Sequence, residues 1–150
     1  MTQRFSTDIL IIGGGAAGLA AALHLAPRAR VTVLCKGDID TASSTWAQGG
    51  IASVTDPDDS VTSHIEDTLN AGAGLCDPDV VRLTVEGAAG AIDELVRWGV
   101  RFDAEDNHFH LTREGGHSFR RILHVADATG RAIIETLTRQ VLDHPRIQLL

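Results

Sequence analysis

Cysteine, surplus positive charge and long apolar runs are all scarce in this 150-residue sequence, and each scarcity excludes a class of protein. The two cysteines, Cys35 and Cys76, form neither a disulfide framework nor a close-spaced metal motif, and none of the seven histidines forms an H-x-x-x-H pair, so we expect no metal site. The net charge of −7 argues against nucleic-acid binding. No run is long enough to span a bilayer, and the first residues lack the pattern of a secretory signal, so we expect a cytoplasmic protein without a membrane partner.

Two apolar runs flank a stretch of small residues near the start of the chain. Residues 8–12 and 31–35 are typical of strands that are buried on both faces of a parallel sheet, and residues 16–23 are typical of a helix between them. Residues 147–150 predict a further strand. This alternation predicts a doubly wound α/β fold with a parallel sheet.

Capping signals predict three more helices. Ser60 is expected to cap a helix that runs toward residue 71, and Asp77-Pro78 begins a helix that Gly99 ends. A third helix begins at Asp127 or Thr129 and ends before residue 145. The apolar residues at helical spacing are Val81, Val85, Ala88, Ile92 and Leu95 in the second of these helices, and Ile134, Leu137 and Val141 in the third. Short strands are expected at 100–102 and 109–111, around a turn at 106–107.

The first strand is followed at once by a G-x-G-x-x-G loop, which consists of Gly13, Gly14, Gly15, Ala16, Ala17 and Gly18. In a dinucleotide-binding loop, Gly13 would make the tight turn, Gly15 would let a pyrophosphate approach and Gly18 would let the helix pack against the sheet. The acidic residue that usually ends the second strand is replaced by Cys35-Lys36, and acidic residues come slightly later, at positions 38 and 40. Lys36 on a 2′-phosphate would indicate NADP, so the loop alone leaves FAD and NADP open.

A second glycine motif occupies residues 43–52 and reads S-S-T-W-A-Q-G-G-I-A. It resembles the flavin loop of the succinate dehydrogenase/fumarate reductase flavoproteins, in which lysine after the second strand is also familiar. The resemblance implies a Rossmann-like FAD-binding domain, with the pyrophosphate on residues 14–17 and the adenosine ribose at Lys36. It places the flavin beside Ser43, Ser44, Thr45, Trp46, Ala47, Gln48, Gly49 and Gly50. Backbone N–H groups at the two glycines would approach flavin N5 and O4 and stabilise the reduced ring. Ser43 stands where membrane-bound relatives have the histidine that links flavin covalently, which implies non-covalent FAD.

A third motif, H-L-T-R-E-G-G-H at 110–117 followed by R-R-I-L-H-V-A-D-A-T-G-R at 120–131, resembles the L-aspartate oxidase family in particular. The resemblance implies FAD-dependent oxidation of L-aspartate to iminoaspartate, with oxygen or fumarate as electron acceptor. The product would pass to quinolinate synthase in NAD biosynthesis, which makes that enzyme a partner. Glu114 would lie near the α-ammonium group of the substrate. Two alternatives remain open: a related fumarate reductase or succinate dehydrogenase subunit, and a non-catalytic nucleotide-binding module.

The remaining polar residues of this region receive no catalytic role. His117 and His124 are expected to be structural hydrogen-bonding residues. Arg113, Arg120 and Arg121 are expected to form a solvated or ion-paired face, and with Arg131 they could serve a small anionic ligand. The resemblance implies that residues 1–150 are the N-terminal part of an FAD-binding domain. The rest of that domain, a capping domain and a C-terminal helical domain would lie outside this chain, so we expect no turnover from residues 1–150 alone.

Overall fold

The computed structural model describes residues 6–106 and 108–150. They form two compact units, one within Met1–Ala47 and Gly130–Leu150 and the other within Gln48–Thr129. In chain order the elements are β1 (Ile9–Ile12), α1 (Ala16–Leu25), β2 (Val31–Leu34), two short 3-10 turns (Ile39–Thr41 and Ser43–Trp46), β3 (Ile51–Ala52), α2 (Val61–Ala71), α3 (Pro78–Trp98), β4 (Ala104–Glu105), β5 (His108–Phe109), β6 (Ile122–Leu123), α4 (Thr129–Asp143) and β7 (Ile147–Leu149). None of the helices in these residues is long and apolar enough to cross a bilayer.

The first unit is built on a parallel sheet with the strand order β1-β2-β7. Ile9 lies opposite Val31, and Val31 lies opposite Ile147, so β2 is the central strand. Helix α1 connects β1 to β2, and its small residues allow close packing on the sheet, where Leu19 and Ala22 are fully buried. The predicted α/β fold with a parallel sheet is confirmed.

The prediction that both early strands are buried on both faces is wrong for β1 and holds for β2 only at its first three residues, since Thr32 is buried on the second face but Leu34 is 42% exposed. Val31 and Val33 are buried in β2, whereas Leu10 and Ile12 in β1 are 54% and 81% exposed. Successive side chains of a strand point to opposite faces. Strand β1 is an edge of this sheet, and one of its faces is not covered by the residues described.

Helix α4 begins at Thr129, one of the two predicted starts, and ends at Asp143, before Pro145. Its predicted apolar face is confirmed, since Ile134, Leu137 and Val141 are all buried. The strand that follows, β7, lies within the predicted range 147–150 and joins the parallel sheet.

In the second unit, the predicted caps of α2 and α3 are confirmed. The Ser60 hydroxyl accepts a hydrogen bond from the Ser63 N–H group at 3.1 Å, and the Asp77 carboxylate accepts from two N–H groups in the first turn of α3. Gly99 ends α3 with φ +109°, a left-handed conformation that glycine adopts easily. The buried residues Ile65, Val81 and Val85 form the core between the two helices.

Three short strands, β4, β5 and β6, follow α3 and form antiparallel pairs, and the sequence predicted these strands poorly. The strand expected at 100–102 is wrong, because the first strand of the pair is β4 at 104–105; the strand expected at 109–111 is right only at Phe109, which belongs to β5 and lies opposite Ala104. Val100 and Phe102 are buried but unpaired, so their apolar character reflects packing and not a strand. The turn expected at 106–107 lies partly outside the described residues, because residue 107 is not among them. Strand β6, which pairs with β3, was not predicted.

Candidate functional site

The glycine loop of the first unit needs glycine at its two ends for reasons internal to the protein. Gly13 has φ +117°, and its N–H group donates to the carbonyl of Leu34 at 2.9 Å, so the chain turns sharply out of β1. A Cβ atom on Gly18 would overlap the carbonyl oxygen of Gly13, so α1 can approach the loop only with a glycine here. These are the turn and packing roles expected of these two residues.

The N-terminus of helix α1 has no cap from the side chain of its own N-cap residue. Gly15 is the N-cap residue and provides no side chain, and the first turn contains no acidic residue. The Ala16 N–H group donates to the hydroxyl of Ser44 at 3.3 Å. The first N–H groups of a helix have no partner within the helix and carry the positive end of its dipole. This end of α1 is therefore suited to an anionic group.

A cavity of about 430 Å³ joins the first two sequence motifs within this unit. Gly13, Gly14 and Gly15 line it together with Lys36, and Ser43 and Ser44 complete the set of predicted residues at the cavity. Cys35 is half-buried, and its sulfur occupies the space that a side chain on Gly14 would need. The cavity thus combines the backbone of three glycines with the side chains of Lys36 and Asp38 and with apolar side chains such as that of Ile39.

Two of the predicted cofactor residues lie at a different cavity. Thr45 and Trp46 line a space of about 580 Å³ beside α4, where Arg131 is also found. Thr45 is buried and Trp46 is 67% exposed. Among the described residues of this unit, the structure therefore does not bring Thr45 and Trp46 to the glycine loop together with Ser43 and Ser44.

Gly130 supports the second motif, and the sequence reasoning gave it no role. Its N–H group donates to the carbonyl of Ala47 at 2.9 Å, and an added Cβ would overlap the Ser44 carbonyl and lie 2.8 Å from the Ala47 Cβ. The start of α4 thereby fixes the Ser44–Ala47 stretch. A glycine in the first turn of a helix is a weak signal on its own, but it is the signal that could have revealed this contact.

In the second unit, the end of the flavin-loop motif lies beside Glu114. The distance from Glu114 Oε1 to the position of a Cβ on Gly49 is 3.9 Å. At Gly50 an added Cβ would overlap the carbonyl of Leu123, so the pairing of β3 with β6 already requires glycine there. Gln48 is exposed. The structure thus brings Glu114 and Gly49 together, although 65 positions separate them in the chain.

Arg121 differs most from its prediction. It is ion-paired, as expected, but it is completely buried and does not lie on a solvated face. Its guanidinium donates to both oxygens of Asp59 at 2.7 and 2.8 Å and to Asp67 at 2.7 Å. Burial of a guanidinium is possible because these two carboxylates neutralise it. Hydrogen bonds from Ser118 and Arg121 lower the pKa of Asp67 to about 2.

The other arginines of the expected cluster do not share this environment. Arg113 and Arg120 are exposed, and Arg120 donates to the carbonyl of Leu111 at 3.3 Å. Arg131 belongs to the other unit. The expected four-arginine anion site therefore has no support from the described residues.

The two histidines of the third motif behave differently from one another. His124 is a structural hydrogen-bonding residue, as predicted: its Nδ1 is 3.1 Å from the Asp103 carboxylate and its Nε2 is 3.0 Å from Nδ1 of His110. His117 does not follow the prediction at Nδ1, which is buried and has no hydrogen-bond partner among the described residues. Its ring instead packs edge-on against His64, with 5.7 Å between centroids. Burial, with Arg121 and His117 nearby, lowers the pKa of His64, which keeps the imidazole neutral at pH 7.

Within residues 6–106 and 108–150 there is no group of three His, Cys, Asp or Glu side chains that could hold a metal ion. The main polar features of the first unit are the N-terminus of α1 and the side chain of Lys36. Those of the second unit are the carboxylate of Glu114 and the buried ion pairs of Arg121.

Known proteins of one family resemble this chain over nearly its whole length. A family model described as "FAD binding domain" matches residues 8–150. The chain is 51% identical over 158 aligned residues to the L-aspartate oxidase of Pseudomonas aeruginosa, covering 100% of this chain and 29% of the relative. It is 51% identical over 148 residues to the L-aspartate oxidase of Yersinia pestis, covering 95% of this chain and 28% of that protein. The chain therefore spans less than a third of the length of these relatives.

A solved structure of a fumarate reductase has a similar fold. An E. coli quinol fumarate reductase chain matches with a TM-score of 0.92 and 33% identity, covering 99% of this chain and 26% of that one. The backbone arrangement described above is thus found in a larger protein that reduces fumarate.

Proposed function

The chain belongs to the FAD binding domain family, and from that premise we propose that the complete protein oxidises L-aspartate to iminoaspartate. The observation that carries the substrate assignment is the carboxylate of Glu114 beside Gly49, in a chain that is 51% identical to two L-aspartate oxidases. FAD is the cofactor, and oxygen or fumarate reoxidises it. The residues outside this chain would complete the FAD-binding domain and add a capping domain and a helical domain.

The residues of the first unit fit FAD. The pyrophosphate would rest on the backbone of residues 14–17, where the start of α1 has no side-chain cap. Lys36, at the same cavity, would lie near the adenosine ribose. By the family resemblance, Ser43, Ser44, Thr45, Trp46 and Ala47 of this unit would follow the flavin side, and so would Gln48, Gly49 and Gly50, which belong to the second unit. Because serine at position 43 cannot replace a flavin-linking histidine, the flavin would be held without a covalent bond.

When bound, FAD supplies the acceptor for the hydride that leaves C2 of the substrate. The task of Glu114 is to recognise what distinguishes aspartate from plain dicarboxylates, namely its α-ammonium group. A carboxylate near that group attracts it and favours its charged form. It offers nothing to the two substrate carboxylates, which need cationic partners, and we place those partners and the catalytic base outside this chain.

Glu114→Gln in the complete, FAD-loaded enzyme tests this assignment, because glutamine keeps the size of the side chain and removes its charge. We expect kcat/KM for L-aspartate to fall about 10–100-fold, since a lost charge-assisted contact is worth roughly 1.5–3 kcal/mol. Fumarate reduction should change by no more than about threefold. Hydrogen peroxide production with L-aspartate is the first measurement, and anaerobic fumarate consumption with a chemically reduced dye as the electron donor, in the absence of L-aspartate, is the second.

Glu86→Gln is the matched control, since Glu86 is an exposed residue of α3 whose only described ion pair is with Arg82. It should leave both activities unchanged. Equal losses for both substrates in Glu114→Gln would reduce Glu114 to a structural role. A parent enzyme that reduces fumarate but does not oxidise L-aspartate would favour the second candidate function, a fumarate reductase, to which the structural match points.

In its biological setting, the protein would work in the cytoplasm, and its unstable imine product would pass to quinolinate synthase for NAD biosynthesis. The similarity to the L-aspartate oxidases supports this placement. A pull-down of quinolinate synthase by the complete enzyme is the direct test of the partner.

A further inference from the structure

The segment that carries Glu114, residues 113–118, is attached to α2 through one buried carboxylate. Asp67 accepts from the Ser118 backbone N–H group at 2.7 Å with one oxygen, and from the Ser118 hydroxyl at 2.7 Å with the other. The first of these oxygens also accepts from Arg121 at 2.7 Å. All three contacts are short and charge-assisted, which makes them stronger than neutral hydrogen bonds.

Few other contacts hold the segment, and one of them is the ring of His117, which packs edge-on against His64 of α2. At its start, Thr112 forms a β-bridge with Ile122, which fixes the chain before Arg113. Between that bridge and Ser118, the His117 N–H group donates to the Glu114 carbonyl at 3.2 Å and closes a turn. Gly116, with φ +90°, approaches α2 so closely that an added Cβ would lie 3.4 Å from the Cβ of Ala71. Beyond these packing contacts, the turn is fixed by hydrogen bonds at its two ends, at the β-bridge and at Asp67.

We propose that Asp67 is a positioning residue for the substrate site, which holds the Glu114 turn in place through Ser118. The proposal rests on the role assigned to Glu114 above. If Ser118 is released, the turn can move away from Gly49, and Glu114 loses its position relative to the flavin-side backbone. The side chain of Asp67 acts only through Ser118 and does not touch the substrate.

Asp59 provides a matched control within the same ion-pair network. Its carboxylate binds the guanidinium of Arg121 at 2.7 and 2.8 Å and is 1% exposed, so it is at least as buried as Asp67. The described contacts of Asp59 include none with Ser118. Asparagine at position 59 or at position 67 therefore removes one charge from beside Arg121, but only the change at 67 loosens Ser118.

The experiment compares Asp67→Asn, Asp59→Asn and Ser118→Ala in the complete, FAD-loaded enzyme. We expect Asp67→Asn to raise KM for L-aspartate about tenfold. For fumarate reduction, both kcat and KM should change by less than about twofold. Ser118→Ala leaves no buried charge unpaired, so it folds even where Asp67→Asn does not, and it should raise KM for aspartate in the same direction. The double variant should show no larger effect than Asp67→Asn, because Ser118→Ala removes one of the two hydrogen bonds that Asp67→Asn already weakens. An equal rise of KM in Asp59→Asn would overturn the proposal.

Hydrogen exchange of the substrate-free enzyme separates this inference from the proposed function. The peptide that contains residues 113–118 should exchange faster in Asp67→Asn than in the parent and should be unchanged in Asp59→Asn. Unchanged exchange in Asp67→Asn would overturn the positioning role even in an enzyme that oxidises aspartate. A parent enzyme without activity on aspartate would refute the proposed function alone, and the exchange measurement would still decide whether Asp67 holds the segment.

Discussion

Replacing Gly18 with alanine should destabilise the protein, although the same change stabilises most helices. Gly18 lies in the first turn of α1, and an added Cβ would overlap the Gly13 carbonyl oxygen. The same atom would be 3.1 Å from the Gly13 carbonyl carbon and 3.4 Å from a methyl group of Ile11. A backbone carbonyl cannot rotate away as a side chain can, so α1 and β1 would have to move apart.

The sign of the effect follows from two opposing contributions. Alanine has a helix propensity that is more favourable than that of glycine by at most about 1 kcal/mol. Overpacking a close contact costs about 1–3 kcal/mol, and the backbone contact here places the cost at the upper end. We therefore expect Gly18→Ala to lower the free energy of unfolding by about 1–2 kcal/mol. Gly90→Ala in α3 is the control: apart from its chain neighbours and the backbone of its own helix, no described atom lies within 4 Å of the added Cβ, and the variant should gain about 0.5–1 kcal/mol.

The assay is guanidinium unfolding of the complete protein after removal of FAD, followed by circular dichroism. Removal of the flavin matters because a bound ligand adds its own contribution to stability. Flavin fluorescence after reconstitution then reports whether the displaced loop still binds the cofactor, and we expect weaker retention in Gly18→Ala. If Gly18→Ala is as stable as the parent, or more stable, the close packing of α1 on the loop is not the reason for glycine at this position.

Three further predictions concern the ion pairs and the cofactor. Arg121→Met should lower the free energy of unfolding by about 3–5 kcal/mol, because it leaves two buried carboxylates unpaired; a loss below about 1 kcal/mol would show that the pairs are solvated. The pKa of Asp67, about 2 in the folded protein against an ordinary 3.8, contributes stability that is present above pH 3.8 and lost as the pH falls toward 2. Asp67→Asn should flatten the stability curve in that range, and an unchanged slope would contradict the pKa assignment. Acid precipitation of the complete enzyme should release all flavin into the supernatant, whereas flavin in the washed pellet would contradict non-covalent binding.

The features that the sequence predicted correctly are local ones. Ser60, Asp77 and Gly99 predicted helix ends because a cap acts on N–H or carbonyl groups no more than four positions away. The glycine loop was recognised because a strand, a tight turn and a helix follow one another without interruption. The apolar face of α4 was correct because a period of 3.6 residues is visible within its length. The three motifs also identified the family, which the comparisons confirm.

The features that only the tertiary structure decided depend on residues that are distant in the chain. The burial of Arg121 follows from Asp59 and Asp67, which are 62 and 54 positions away, and no spacing rule relates them. Strands β3 and β6 have two residues each, too few to show a period, so their pairing could not be predicted. Gly130 and Ala47 meet only because α4 returns to the first unit. Local sequence determines the helix ends and turns through short-range hydrogen bonds, whereas burial and ion pairing depend on which distant segments the folded chain brings into contact.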